Sequence, residues 1–247
     1  MGKAFDIVNE IEVGVTPEQA WQAVATGEGM DAWMMGRNEI EPREGGKIRT
    51  ITPSWSTEAS VTTWDPPNRF VSRTEKAEDG AFMTFDYRIE GGDKGNTSIK
   101  WIHSGALGDD WEREYEAMNE GDTAYFHKIG QYLTHFFGRK ATPVETYGPE
   151  VHDRERAMRI MREGLGLSGP VAVDDRVRLT PEGFEPTDGV VTWVSPSFLG
   201  VRSDDAIYWF VWAFTGPLMV GHHLFAEGVD QKEQEDAWKS WLDGLVP

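Results

Sequence analysis

Val61-Thr62-Thr63-Trp64-Asp65-Pro66-Pro67-Asn68-Arg69-Phe70-Val71-Ser72-Arg73 is the stretch from which the fold of this chain is read. Two runs rich in β-branched and aromatic residues flank Asp-Pro-Pro-Asn, whose residues favour turns, so the segment predicts a β-hairpin. The pattern returns as Val191-Thr192-Trp193-Val194-Ser195-Pro196-Ser197-Phe198-Leu199-Gly200-Val201-Arg202. Ile48 and Val177, Trp64 and Trp193, Pro67 and Pro196, and Arg73 and Arg202 share an offset of 129 residues. A constant offset at four positions points to duplication of a folding unit.

Upstream of the hairpin, residues 4–15 are partly alternating and β-branched, the signature of an edge or half-buried strand. Thr16-Pro17-Glu18-Gln19 then supplies an N-cap, a proline at the first helical position and a capping-box glutamine. Ala20, Trp21, Val24 and Ala25 line one face of the helix that follows. Strands are expected near 37–41, 46–52, 58–64, 69–76, 81–90 and 96–104, separated by Gly-, Pro- and Asp-rich turns. From Trp111 to about Phe137 the period becomes helical, with Tyr115, Met118, Thr123, Phe126, Ile129 and Leu133 near one stripe. Strand, helix, meander and long closing helix is the order of the helix-grip fold, an α+β architecture.

Residues 140–152, with Pro143, Gly148 and Pro149, read as a connector between a domain at 1–139 and a degenerate second repeat at 153–247. The repeat shows a helix at 153–167, strands near 175–180, 188–194, 198–203, 206–214 and 218–226, and a helix at 230–245. It lacks an evident counterpart of the first strand. Its strands at 206–214 and 218–225 are apolar on both faces and must be covered on both. The repeat is therefore expected to pack on the first domain, with a second subunit as the alternative cover.

The chain of 247 residues carries a formal charge of −18, about −10 of it in residues 1–139, so no acidic tail accounts for it. A surface of this sign disfavours nucleic acid and anionic membrane. With no cysteine, disulfides and thiolate chemistry are excluded. No secretory pattern opens the chain and no apolar run approaches the ~20 residues of a membrane span, so a cytoplasmic location is expected.

Val13-Gly14-Val15-Thr16-Pro17-Glu18-Gln19-Ala20-Trp21, Trp33, Glu44-Gly45-Gly46 and Trp64-Asp65-Pro66-Pro67-Asn68-Arg69-Phe70 resemble the SRPBCC (START-like, helix-grip) superfamily. They look most like bacterial homologues of the C-terminal domain of the heat-shock-protein ATPase activator. The resemblance spans residues 4–137 and is weak over 150–247. It implies a curved antiparallel sheet gripping a long helix, with an apolar cavity between. Members include lipid and hormone binders, polyketide aromatase/cyclases and a chaperone activator, so the fold alone does not choose a function.

The cavity lining expected from period-two alternation and position is Met30, Trp33, Trp55, Met83, Phe85, Tyr87, Trp101, His103, Met118 and Phe126. Trp33 and Trp55 are placed at the mouth. His103, beside Tyr87 and Trp101, is the candidate acid/base, with Tyr87 its catalytic partner; a hydrogen-bonded core histidine is the plainer account. Adjacent His222 and His223 point to opposite faces, and no ligand spacing joins them to His103, His127 or His135, so no metal is expected. The acidic run from Asp109 to Glu116 complements a helix dipole. Neither a nucleophile elbow, a phosphate loop nor a dinucleotide fingerprint occurs, and no cofactor is expected. The leading expectation is a monomer or homodimer binding a small hydrophobic or aromatic molecule. A cofactor-free aromatase/cyclase-type enzyme and a chaperone-activator-like module with a protein partner are the alternatives.

Overall fold

The computed structural model describes residues 3–92, 95–108, 111–214 and 216–246, and the chain divides between Arg139 and Lys140 into two compact units. In the first unit, β1 (Lys3–Val13) leads into α1 (Pro17–Ala25). The Thr16 hydroxyl accepts from the Gln19 amide at 3.3 Å, and the Gln19 side chain accepts from the Thr16 N–H at 2.9 Å. This reciprocal pair closes the helix start.

The short helix α2 (Gly27–Met30) precedes β2 (Arg37–Ile40), β3 (Lys47–Ile51), β4 (Ser56–Asp65), β5 (Arg69–Thr74), β6 (Phe82–Gly91) and β7 (Thr97–Leu107). Helix α3 (Trp111–His135) closes the unit and packs on β1 and β7. The sheet order is β1-β7-β6-β5-β4-β3-β2 with antiparallel neighbours throughout. Phe85, Tyr87 and Ile89 of β6 stand opposite His103, Trp101 and Ile99 of β7, so alternation builds one aromatic face.

The second unit comprises β8 (Thr142–Glu150), α4 (Arg154–Gly164), β9 (Arg176–Leu179), β10 (Thr187–Val194), β11 (Phe198–Arg202), β12 (Ala206–Trp212), β13 (Pro217–Leu224) and α5 (Gln231–Gly244). Its sheet order, β8-β13-β12-β11-β10-β9, repeats that of the first unit without a β2. The second unit is a second copy of the helix-grip fold.

Three sequence expectations need correction. Residues 140–152 are not a connector, because 142–150 form β8, which takes the place of β1 that the repeat was thought to lack. β8 lies at a sheet edge, where only half of the N–H groups enter the ladder, so Pro143 and Pro149 are accommodated. The helix expected over 153–167 stops at Gly164. The equation of Trp64 with Trp193 fails by one residue. Both sheets shift register at the same place, Val61/Thr63 in β4 and Val191/Trp193 in β10. Trp64 pairs with Phe70, whereas Trp193 pairs with Gly200, so Val194 opposite Leu199 holds the equivalent place.

From Leu218 to Leu224 every residue of β13 is buried, so both of its faces are covered. On β11, Gly200 lies opposite Trp209, and a Cβ there would fall 2.1 Å from the indole ring. Gly200→Ala is expected to cost about 1–3 kcal/mol by displacing a fully buried tryptophan, read as a lower urea midpoint for the second unit.

In the first unit, buried Asp86 is held by Arg69 at 2.9 and 3.0 Å and by Arg88 at 2.9 and 3.1 Å. Burial pushes its pKa up, but the hydrogen bonds from Arg69 and Arg88 outweigh burial and leave it below the ordinary aspartate value. A lowered folded value means that the clamp stabilises fully above about pH 4 and loses its contribution as pH falls through the folded value. Asp86→Asn should therefore lower the urea midpoint at pH 7, and its gap to wild type should close in acid.

Candidate functional site

His103 projects from β7 toward α3, where its Nδ1 lies 2.7 Å from Oδ2 of Asp122. A carboxylate only accepts, so Nδ1 carries the proton, and whenever the ring is neutral its lone pair stands on Nε2. His103 is 4 % exposed, and its Nε2 and the Nε1 of Trp101 are buried without a hydrogen-bond partner among the described residues. The imidazole is held by rings on three sides. Phe85 stacks on it at 4.3 Å, Phe5 meets it edge-on at 5.0 Å, and Trp101 lies nearly coplanar at 6.3 Å. A buried polar atom left unpaired costs about 1–3 kcal/mol, so the orphaned Nε2 asks for an occupant.

The wall around His103 changes character along its length. Toward the interior, Tyr87 stacks between Trp101 at 5.7 Å and Phe70 at 5.9 Å, and Phe126 leans on Trp101 at 5.8 Å. Trp33 is 0 % exposed, and its Nε1 donates to the Ala23 carbonyl at 2.9 Å. Met30 of α2 is buried as well. In the opposite direction Met83 and Phe85 of β6 and Met118 of α3 are only half-buried. Trp111, Tyr115 and Met118 pack there around Phe5, Ile7 and Leu107. Because β6 begins where β7 ends and α3 follows β7, these residues share one end of the unit, and His103 stands between it and the sealed interior.

Three assignments change. Trp33 belongs to the sealed interior rather than the mouth, since its only polar atom is consumed by a backbone carbonyl. Trp55 sits in the β3–β4 turn, 42 % exposed and outside the aromatic wall. The hydrogen-bond partner of His103 is Asp122 rather than Tyr87. Tyr87 contributes differently: burial, and then the negative charge of Asp122, raises its pKa and holds the hydroxyl in its protonated form. Asp122 escaped the sequence reading because Asn119-Glu120-Gly121-Asp122-Thr123 looks like an ordinary polar stretch. The available signal was spacing, since Asp122 falls four residues after Met118 and four before Phe126, a carboxylate on the apolar stripe.

Of the acidic run at the start of α3, Asp109 and Asp110 lie outside the described residues, while Glu112 and Glu114 occupy the first turn. Among the described residues no group of three or more His, Asp or Glu side chains is placed to hold a metal ion. Among the described residues no helix is long and apolar enough to cross a membrane. The second unit carries a cleft of about 380 Å³ formed by the segments around Ser168 and Arg176.

Residues 14–134 match the family described as activator of Hsp90 ATPase homolog 1-like protein. The first unit is an SRPBCC domain. No curated protein sequence matches the chain. Among solved structures, the di-domain ARO/CYC BexL from the BE-7585A biosynthetic pathway aligns over 96 % of this chain and 93 % of its own, at 11 % identity and a TM-score of 0.48. The Aha1 dimer from Colwellia psychrerythraea covers 52 % of this chain and 96 % of its own, at 18 % identity and a TM-score of 0.44. A protein from Mesorhizobium loti covers 52 % and 96 %, at 19 % identity and a TM-score of 0.46.

Within this two-copy helix-grip arrangement the duplication supplies an internal control. In the first unit His103 stands opposite Ile7 of β1 and Phe85 of β6. In the second, His222 stands opposite Val144 of β8, and the register of β12 on β13 sets Tyr208 beside it. His103 and His222 therefore occupy equivalent positions. Both are buried, and His223 is buried too. The closing helix differs: against His222 it sets the indole of Trp238, at 4.5 Å, in place of a carboxylate. His222 Nδ1 accepts the Trp209 N–H at 2.9 Å, a bond to the sheet of its own unit where His103 Nδ1 meets a carboxylate.

If the His103–Asp122 pair is kept for a purpose other than stability, its removal as a pair should be tolerated. Asp122→Leu alone is expected to cost about 1–3 kcal/mol, because the imidazole N–H loses its acceptor. Combining it with His103→Phe should restore stability to the wild-type value or above. Urea denaturation of both variants measures this.

Proposed function

We propose that the first unit binds a small, flat, hydrophobic molecule that carries a hydrogen-bond donor. The observation that supports this is the Nε2 of His103, a buried nitrogen without a hydrogen-bond partner among the described residues, set in an aromatic wall whose outer end is half-buried. Aromatic faces supply most of the binding free energy through burial, and the single polar atom orients the ligand, as in small-molecule sites generally. Asp122 keeps the ring oriented so that the lone pair, not the N–H, faces the occupant.

Native mass spectrometry of gently purified protein, set against the denatured mass, tests for a retained ligand. A defined probe pair tests the chemistry. 2-Naphthol should quench tryptophan emission saturably and bind more tightly than naphthalene. His103→Phe should weaken 2-naphthol by up to about tenfold, the worth of one hydrogen bond, and leave naphthalene unchanged. Failure of wild-type protein to bind either compound would sink this reading.

A further inference from the structure

The cleft of the second unit is lined by the segment Gly166–Val171 on one side and by Arg176, Val177 and Arg178 of β9 on the other. β9 ends the sheet and pairs with β10 alone. Side chains alternate along it, so Val177 and Leu179 turn to the core of the unit and Arg176 and Arg178 to the opposite face. A cleft that residues of both faces line therefore runs along the open margin of the strand. Backbone bonding gives the same result. Val191 of β10 donates its N–H to the Asp175 carbonyl at 2.9 Å, whereas the Thr180 N–H turns away from β10 to the Leu165 carbonyl at 2.9 Å. By the same period of two, the N–H and C=O groups of Arg176 and Arg178 point with Thr180, toward the cleft. Beyond that margin no acceptor for either N–H is found among the described residues.

Charge narrows what this margin can hold. In a chain of net charge −18, Arg176 has no acidic partner among the described residues, while Arg178 is held by Asp188 at 2.8 Å. Asp175 also lines the cleft but is tied to its own turn, where its Oδ2 accepts the Ala172 N–H at 2.7 Å. Leu167 is buried and Val171 and Val177 are half-buried, so an apolar wall adjoins the unpaired guanidinium. We propose that this cleft binds an N-acylated amino acid with an apolar side chain, either free or as the carboxyl-terminal residue of a polypeptide. The ligand's amide N–H meets a carbonyl of the β9 margin. Its carboxylate takes a margin N–H and the guanidinium of Arg176, and its side chain lies on Leu167, Val171 and Val177. Two outward-facing residues suffice for one ligand residue and are too few for a strand. At about 380 Å³ the cleft has the size of a small-molecule site. The site belongs to the second unit and is independent of the aromatic wall of the first.

Isothermal titration calorimetry of the full chain tests this with N-acetyl-L-leucine, N-acetyl-L-leucinamide and the acetylated tripeptide alanyl-alanyl-leucine. N-Acetyl-L-leucine should bind saturably, with a Kd of about 1 mM or below, and its amide about tenfold more weakly, the loss expected when a charge-assisted bond is removed. Arg176→Gln, a change at an exposed side chain, should bring the acid down to the level of the amide and leave the amide unchanged. Arg176→Lys keeps the charge without the planar fork and should recover part of the lost affinity. A tripeptide that binds about tenfold more tightly than N-acetyl-L-leucine assigns the end of a polypeptide, and one that binds equally or more weakly assigns the free N-acyl amino acid. Acid and amide of equal affinity overturn the proposal. So does undiminished binding of the acid to folded Arg176→Gln, and so does the absence of saturable binding of both carboxylates up to about 10 mM.

Discussion

The register of β7 decides what the first unit presents to its long helix. Side chains alternate strictly along a strand, so a slip of one residue would turn His103 and Trp101 outward and bring Lys100 and Ile102 in. The register is held from both sides, because β1 sets Ile7 and β6 sets Phe85 opposite His103. It is also held at both ends. Thr97, at the start of β7, donates its hydroxyl to the Val15 carbonyl at 2.6 Å. Near the other end, a Cβ on Gly105 would fall 2.0 Å from the Phe82 carbonyl oxygen, so only glycine permits the strands to approach there. Between these two fixed points the imidazole has one place to go, and Asp122 meets it.

The two copies share their strand order, their bulge and a buried histidine at one position, and differ in what surrounds it. In the second unit the ring lies among Tyr208, Phe210 and Trp238 and accepts a backbone N–H at Nδ1. In the first unit the same position gains a carboxylate from the closing helix. Equivalent backbones with unequal side-chain bonding separate what the fold requires from what it does not. A histidine is compatible with either core, whereas the Asp122 contact is an addition peculiar to one of them.

Much of this was legible in the sequence. Period-two alternation placed Met83, Phe85, Tyr87, Trp101 and His103 on one face, because that signal depends only on backbone geometry. The capping box and the 25-residue length of α3 were equally local signals. What failed depended on position in three dimensions. β8 was hidden by prolines that only an edge strand accepts, and edge status is a property of the whole sheet. Trp33 was placed at a mouth from its glycine-rich neighbourhood, but its indole N–H reaches ten residues back to Ala23. Trp64 and Trp193 matched by offset because an insertion before β10 and a shortened turn after it nearly cancel. Asp122 lay on the apolar stripe, yet a single polar residue in a helix says nothing of its partner until the facing strand is known.

The absence of a counterpart to β2 leaves the second sheet ending on β9, a strand of four residues. An exposed strand margin is a template on which another chain can extend the sheet, and the hazard grows with its length. Here the template offers few unpaired backbone groups, and two of its four residues, Arg176 and Arg178, are exposed and charged. Arg178 is further engaged by Asp188 at 2.8 Å on the neighbouring strand. The second sheet therefore closes on that side with a short, charged margin, which is a poor template for edge-to-edge pairing.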